Sequence, residues 1–347
     1  MLTDKNISFT PLDTLGEFGL IDRISKSFTP KYANTIKGIG DDAAVLEGDA
    51  NFYQLISADM LIEGVHFDLS YTPLKHLGWK SVVVNLSDIY AMNGIPTAIT
   101  VCLGLNNRFS VEAIDELYAG IEIACRTFGV DLVGGDTSTS RGSMYIAVTA
   151  LGKVEKNQVV YRNGAKKNDL ICVTGDLGAA YAGFRILERE KQVFLENPNL
   201  QPDLAEYDYV VGRQLKPHPQ IELIAWFKQN NFIPTAMIDI SDGLASEILH
   251  ICKQSEVGAR VMEEKIPIDI QTQNVAMEFK IDTNTFAFNG GEDYEMLFTV
   301  PVTAHDIVKK IPNVSIIGYI TDKCEGVNLV SKQGSLTPIQ AQGWKHF

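Results

Sequence analysis

Six short segments rich in glycine and aspartate mark this 347-residue chain: GIGDDAAVL (Gly38 to Leu46), SAD (Ser57 to Asp59), VNLSD (Val84 to Asp88), GGDTSTS (Gly134 to Ser140), IDISDG (Ile238 to Gly243) and NGGEDYE (Asn289 to Glu295). A single aspartate in such a segment is an ordinary turn or helix-cap residue. Several that converge pose an electrostatic problem, because two unit charges roughly 4 Å apart repel by about 4 kcal/mol at an effective dielectric near 20. Cations relieve that repulsion, and an all-oxygen ligand set selects magnesium, manganese or calcium over zinc.

The elements that must position these segments alternate between strand and helix, which predicts an α/β fold. Trp79, Val82, Val83, Leu86, Ile89 and Tyr90 recur at helical spacing, and Thr97 to Leu105 follows as a buried strand. A second helix opens after Ser110 as N-cap, carries Val111, Ile114, Leu117, Tyr118, Ile121 and Cys125 on one side, and stops at Gly129. Strands are expected at Val130 to Val133 and Ser143 to Val154. A polar, turn-rich stretch from Tyr161 to Asp169 suggests a junction, and the boundary is placed near residue 152, dividing the chain into 1–152 and 153–347. The second part reads as a strand at Leu170 to Thr174, a helix from Leu177, and a surface excursion from Glu196 to Pro219. A helix at Ile221 to Lys228, a strand into a turn at Ile238 to Gly243, a further helix, and a strand at Tyr294 to Val300 complete it.

Thirty Lys and Arg against 43 Asp and Glu give a net charge of −13, a field that disfavours nucleic acid and anionic membrane surfaces. A phosphate ester bound against that field would need cations. No run of eighteen apolar residues occurs, and the first twenty residues lack a basic segment followed by an apolar one. The expectation is a cytoplasmic protein that neither spans nor binds a membrane. Five cysteines without a CxxC pair read as free buried thiols, and six histidines without paired ligand spacing argue against zinc.

Competing motifs fail on their own terms. Gly38-x-Gly40-x-x-Ala43 satisfies a loosened dinucleotide fingerprint, but Asp41 and Asp42 would face the pyrophosphate and no helical periodicity follows. The chain has no GxxxxGK[ST] phosphate loop and no GxSxG nucleophile elbow, and the glycine of IDISDGLASE comes too early for a calcium loop.

Taken in order, GIGDDA, SADMLIEGVHF, VNLSDIYAMNGIP, LVGGDT, IDISDGL and GGEDYEMLFTV resemble the thiamine-monophosphate kinase family of the aminoimidazole ribonucleotide synthetase (PurM-like) ATP-binding superfamily, from about Gly16 to the terminal GWKHF. The resemblance implies two α/β domains, the first forming a homodimer, with a site in the cleft between them. It implies ATP as co-substrate, several Mg2+ ions, and thiamine monophosphate as acceptor. Asp42, Asp59, Asp88, Asp136, Asp239 and Asp242 become metal ligands, with oxygens of Ser57 and Ala58; Asp88, Asp136 and Asp239 act through the metals, and no general base is assigned. Asp41 is expected to hold its turn. The family often has Thr where this chain has Ala58, so a contact there must come from the main-chain carbonyl. Gly135, Asp136, Arg162 and Ser241 are implied for ATP, with Tyr118, which fits core packing equally well. His66, Glu292 and Trp344 are implied for the acceptor, as phosphate donor, aminopyrimidine acceptor and stacking ring.

Two alternatives stand beside this reading. A purine-pathway synthetase shares the aspartate framework, and a non-catalytic metal scaffold would keep the segments for stability. Arg162, His66 and Glu292 argue against the scaffold, which has no use for a phosphate clamp. Cys102 inside an apolar strand, and an ending in Lys345-His346-Phe347, do not suit the selenophosphate or hydrogenase-maturation relatives.

Overall fold

The computed structural model describes residues 11–341. The first part contains α1 (Gly16–Ser25), β1 (Thr35–Lys37), β2 (Ala44–Glu47), β3 (Phe52–Ile62), α2 (Leu74–Ala91), β4 (Ile95–Leu105), α3 (Val111–Phe128), β5 (Asp131–Thr139) and β6 (Tyr145–Glu155). Its six strands form one sheet in the order β1-β2-β3-β6-β4-β5. The second part contains β7 (Leu170–Thr174), α4 (Ala179–Glu196), α5 (Asp208–Leu215), α6 (Ile221–Asn230), β8 (Ala236–Asp239), α7 (Leu244–Ser255), β9 (Val257–Met262), α8 (Ile270–Glu278) and α9 (Thr283–Asn289). It ends with β10 (Met296–Val300), β11 (Val314–Asp322), β12 (Val327–Val330) and β13 (Leu336–Pro338). Its sheet runs β13-β12-β9-β11-β7-β10-β8. The α/β architecture read from the sequence is the one observed, and no helix among the described residues is long and apolar enough to cross a membrane.

Strand alternation gives the first sheet one buried face. Ile99, Val101, Leu103, Ile146 and Val148 pack into the core, while Met60, Cys102 and Tyr145 lie on the open face. This corrects the reading of the cysteines: all five are free, but Cys102 and Cys324 are exposed, Cys102 because it falls between two inward-facing residues of β4. Helix α3 begins and ends where its caps predict. Ser110 accepts a hydrogen bond from the Ala113 amide, and Gly129 closes the helix at φ 66°.

Helix α2 is buried on nearly every side from Leu77 to Ala91, lying between the first sheet and β8. Its polar residues are therefore hydrogen-bonded. Ser81 Oγ donates to the Gly78 carbonyl at 2.9 Å, and Asn85 Nδ2 donates to the Ser81 carbonyl at 3.0 Å. Asn85 Oδ1 in turn accepts from the Asp59 amide at 2.9 Å, tying α2 to β3.

Two expectations are corrected. GGDTSTS is not a turn: β5 continues through Thr139, pairing in parallel with β4. The stretch from Glu196 to Pro219 is not purely a surface excursion, because Val210, Gln214 and Leu215 of the amphipathic α5 are buried against α4 and the core. Trp79 fixes the same region by donating its Nε1–H to the Pro217 carbonyl at 2.7 Å.

Candidate functional site

A cavity of about 390 Å3 opens between the two parts, lined by β3 and the loop after it, α2, α4, α5, and the segments around Ser241 and Glu292. Asp88 from the last turn of α2 and Asp239 from the end of β8 line it, and with Asp42 from the turn before β2 they present carboxylate oxygens within 4.8 Å of one another. Asp88 and Asp239 stand where a helix and a strand stop, and Asp42 stands just before a strand starts. A helix C-terminus carries partial negative charge, so Asp88 sits where the dipole opposes it.

The cost of this convergence appears in the proton affinities. Burial, and then the charges of Asp59, Asp239 and Asp42, push the Asp88 carboxyl well above the usual carboxylate range; a hydrogen bond from Ser57 opposes the shift. Burial first and Asp42 second raise Asp239 to about 7, against a hydrogen bond from Ser87. The Asp59 carboxyl is also raised by the protein crowding it, although its own surface is open to solvent, and a hydrogen bond from Asp88 opposes that shift. The Oδ2 atom of Asp42 is buried without a hydrogen-bond partner. Raised carboxyls around an orphaned carboxylate oxygen are what a hard divalent cation would satisfy, so the donor set suits magnesium.

Arg162 approaches from the junction between the parts. Its Nε and Nη2 donate to Asp42 Oδ1 at 3.1 and 2.6 Å, and its backbone N–H donates to Asp41 Oδ1 at 3.0 Å. Asp41 holds the turn through Oδ1, while its buried Oδ2 has no hydrogen-bond partner and lies 3.6 Å from the Lys37 ammonium; burial and then Asp42 raise its carboxyl to about 6. The rejected dinucleotide fingerprint is followed by a strand, β2, and not by a helix.

The cavity lining also includes His66, whose Nδ1 accepts from the Ile62 amide at 3.0 Å. In the neutral ring the proton then sits on Nε2, a donor. Glu292 is held on both oxygens: Lys80 lies 2.8 Å from Oε1, and Gln214 Nε2 donates to Oε2 at 2.7 Å. Its backbone is left-handed, with Gly291, Glu292 and Tyr294 at φ 71°, 59° and 52°. The Glu292 amide donates to the Ser241 carbonyl at 2.7 Å and the Tyr294 amide to the Ile240 carbonyl at 2.9 Å, which fix this costly conformation beside β8. Ser241 and Asp242 line the cavity, and the Asp242 amide donates to buried Glu247 at 3.0 Å.

The structure therefore brings together Asp42, Asp59, Asp88, Asp239, Ser241, Asp242, His66, Glu292 and Arg162, with Ser57 behind Asp88. Ala58, which alternates with Ser57 and Asp59 along β3, does not line the cavity. Tyr118, Gly135 and Asp136 do not line this cavity. Tyr118 packs half-buried against the core, and Asp136, on β5, pairs with Cys102 of β4, separated from β3 by β4 and β6. Gly135 has a packing reason of its own, since a Cβ there would meet the Val101 carbonyl oxygen at 1.8 Å. Trp344 lies outside the described residues. Lys80 and Gln214 were not legible as site residues, because one is a lone lysine in an apolar helix and the other lies in a segment expected at the surface.

Residues 40–154 match the family described as AIR synthase related protein, N-terminal domain, and residues 166–330 its C-terminal domain. The thiamine-monophosphate kinase of Buchnera aphidicola subsp. Schizaphis graminum is 38% identical over 338 residues, covering 95% of this chain and 98% of that protein. That of Bacillus subtilis is 31% identical over 342 residues, covering 96% and 100%. A solved structure, AaThiL complexed with AMPPCP and TMP, superposes with a TM-score of 0.82 at 32% identity, covering 98% of this chain and 100% of that one. With two family domains spanning most of its length and full-length relatives above 30% identity, the chain belongs to the thiamine-monophosphate kinase family of AIR synthase related proteins.

Proposed function

We propose that the protein is a cytoplasmic enzyme that transfers the γ-phosphoryl group of ATP directly to the phosphate of thiamine monophosphate, forming thiamine diphosphate and ADP, the last step in making that diphosphate. The observation that carries this reading is the convergence of Asp42, Asp88 and Asp239, from both parts of the chain, at a cavity that also holds His66 and Glu292. Relatives named for this activity, and a neighbour holding AMPPCP and TMP, support the choice of substrates.

A bond forms between an acceptor phosphate oxygen and the γ-phosphorus as the bond to the β-bridging oxygen breaks. The acceptor needs no general base, because a phosphate monoester with a second pKa near 6 is largely dianionic at about pH 7. Repulsion between two polyanions is the barrier to their approach. Mg2+ held by Asp42, Asp59, Asp88, Asp239 and Asp242 supplies charge neutralisation and transition-state stabilisation when bound. The chain's own groups orient the reactants: His66 Nε2–H donates to the acceptor phosphate, Ser241 donates near the nucleotide, and Arg162 turns from Asp42 toward the ATP phosphates.

The apolar open face of the first sheet, with Met60 on β3 51% exposed and Val133 on the edge strand β5 61% exposed, suits a second copy of the chain. A homodimer through that face would put Gly135 and Asp136 at the subunit boundary, where they would reach nucleotide and metal. Incubating the protein with ATP, magnesium and either thiamine monophosphate or an aminoimidazole precursor, with chromatographic separation, tests the activity. Thiamine diphosphate and ADP are expected from the first mixture only. A purine-pathway product, or ATP hydrolysis alone, would overturn the reading.

A further inference from the structure

The cavity wall also includes a lobe formed by Tyr71 and Asp68, from the loop after β3, and by one face of α4. Tyr181, Phe184, Glu188 and Lys191 lie at helical spacings of three, four and three along that face. The rings of Tyr181 and Phe184 are 6.0 Å apart and inclined by 32°. The Tyr71 hydroxyl donates to Glu188 Oε1 at 2.8 Å. Lys191 donates to Asp68 Oδ2 at 2.7 Å and reaches Glu188 Oε1 at 3.5 Å.

Two features of this lobe point to a ligand. Both partners of Glu188 sit on Oε1, so Oε2 has no protein partner among the described residues, while the side chain remains 32% exposed in the cavity wall. Glu292 differs, because Lys80 and Gln214 occupy its two oxygens. Two carboxylates against one ammonium also leave the lobe with a surplus negative charge beside aromatic rings, a setting that favours a cationic heteroaromatic group.

We infer that Glu188 is the residue that selects the organic end of the acceptor, its Oε2 accepting a hydrogen bond from the exocyclic amino group of the aminopyrimidine. Tyr71 fixes the carboxylate through Oε1, and the Tyr181 and Phe184 rings flank the heterocycle. The lobe's negative charge complements the thiazolium. This assignment rests on thiamine monophosphate being the acceptor, and it gives the amino group to Glu188 in place of Glu292.

The test uses steady-state kinetics of the full chain with thiamine monophosphate and with oxythiamine monophosphate, whose amino group is replaced by a carbonyl oxygen. The wild type should prefer the amino compound by roughly 10- to 100-fold in kcat/KM, the range of a hydrogen bond to a charged group. In Glu188→Gln the amide can donate to the carbonyl, so the preference should collapse, with KM for thiamine monophosphate raised about tenfold or more and KM for ATP unchanged. Tyr71→Phe, which leaves the carboxylate in place but removes its anchor, should weaken the preference in the same direction and guards against misfolding of the first variant. An unchanged preference in both variants, or a collapse seen in Glu292→Gln instead, overturns the inference while leaving the proposed activity intact. A wild type that makes no thiamine diphosphate overturns both.

Discussion

Ser87 Oγ donates to Asp239 Oδ2 at 2.6 Å, a buried hydrogen bond that joins α2 in the first part to the end of β8 in the second. Asp88, the next residue, turns into the carboxylate cluster, so one turn of helix both tethers the second part and delivers a charge to the site. Ser87→Ala removes the donor and leaves a buried carboxylate less satisfied. A loss of about 1.5–3 kcal/mol in stability is expected, together with weaker magnesium binding. Thermal melts and magnesium titration measure the two effects, and a variant unchanged in both would show that the tether is idle.

Asp88→Asn should reduce turnover by on the order of 100-fold or more, as loss of a carboxylate proposed to coordinate the metal directly should cost at least what second-sphere changes do. The folded protein without metal should be as stable as the wild type or more so, because the substitution deletes a charge that burial and three aspartates disfavour. A folded variant with wild-type activity removes Asp88 from the machinery.

Magnesium and pH should act on stability in opposite directions. Without metal, folded Asp239 holds its proton up to about 7, whereas an unfolded aspartate releases it near 3.8. Its stabilising contribution is therefore complete below the unfolded value and is lost as pH rises through about 7. Magnesium binds the ionised carboxylates, so its stabilising effect should be small at about pH 5.5 and large at about pH 8. Melting temperatures with and without the ion measure this difference, and a magnesium effect independent of pH would exclude these carboxylates as ligands.

Local signals explain what the sequence disclosed. Helix α3 could be read from Ser110 to Gly129 because its caps and apolar face are encoded within a single segment. The GGDTSTS segment has turn-like composition, but its conformation is set by parallel pairing with β4, which no local pattern records. The aspartates of the cluster were legible as a set because each stands where an element stops or just before one starts. Their supports were not: Glu188 and Lys80 acquire meaning only from Tyr71 and Glu292, which are distant along the chain.

Lys80 offers a test of those supports. Its ammonium is almost fully buried and faces Glu292, whose side chain is 27% exposed to the cavity. Lys80→Met keeps the packing volume but strands the carboxylate. The exposure of Glu292 limits the cost to about 1–3 kcal/mol, below that of a fully buried pair. KM for thiamine monophosphate should rise more than KM for ATP, because the Glu292 loop loses its anchor in the part of the cavity proposed for the acceptor. Equal effects on both substrates would indicate general loosening of the fold.

Acceptor choice follows from the chemistry of the attacking oxygen. Thiamine monophosphate brings an anionic oxygen, whereas free thiamine brings a neutral hydroxyl that must lose a proton during transfer, and no general base is assigned in the cavity. Free thiamine also lacks the phosphate that His66 Nε2–H is proposed to meet, with Nδ1 committed to the Ile62 amide. The enzyme should therefore phosphorylate thiamine monophosphate and not thiamine. His66→Ala should raise KM for thiamine monophosphate by about tenfold or more, the range of a hydrogen bond to a charged group, and leave KM for ATP within about twofold. Comparable phosphorylation of free thiamine, or a His66→Ala effect confined to ATP, would place the acceptor elsewhere in the cavity.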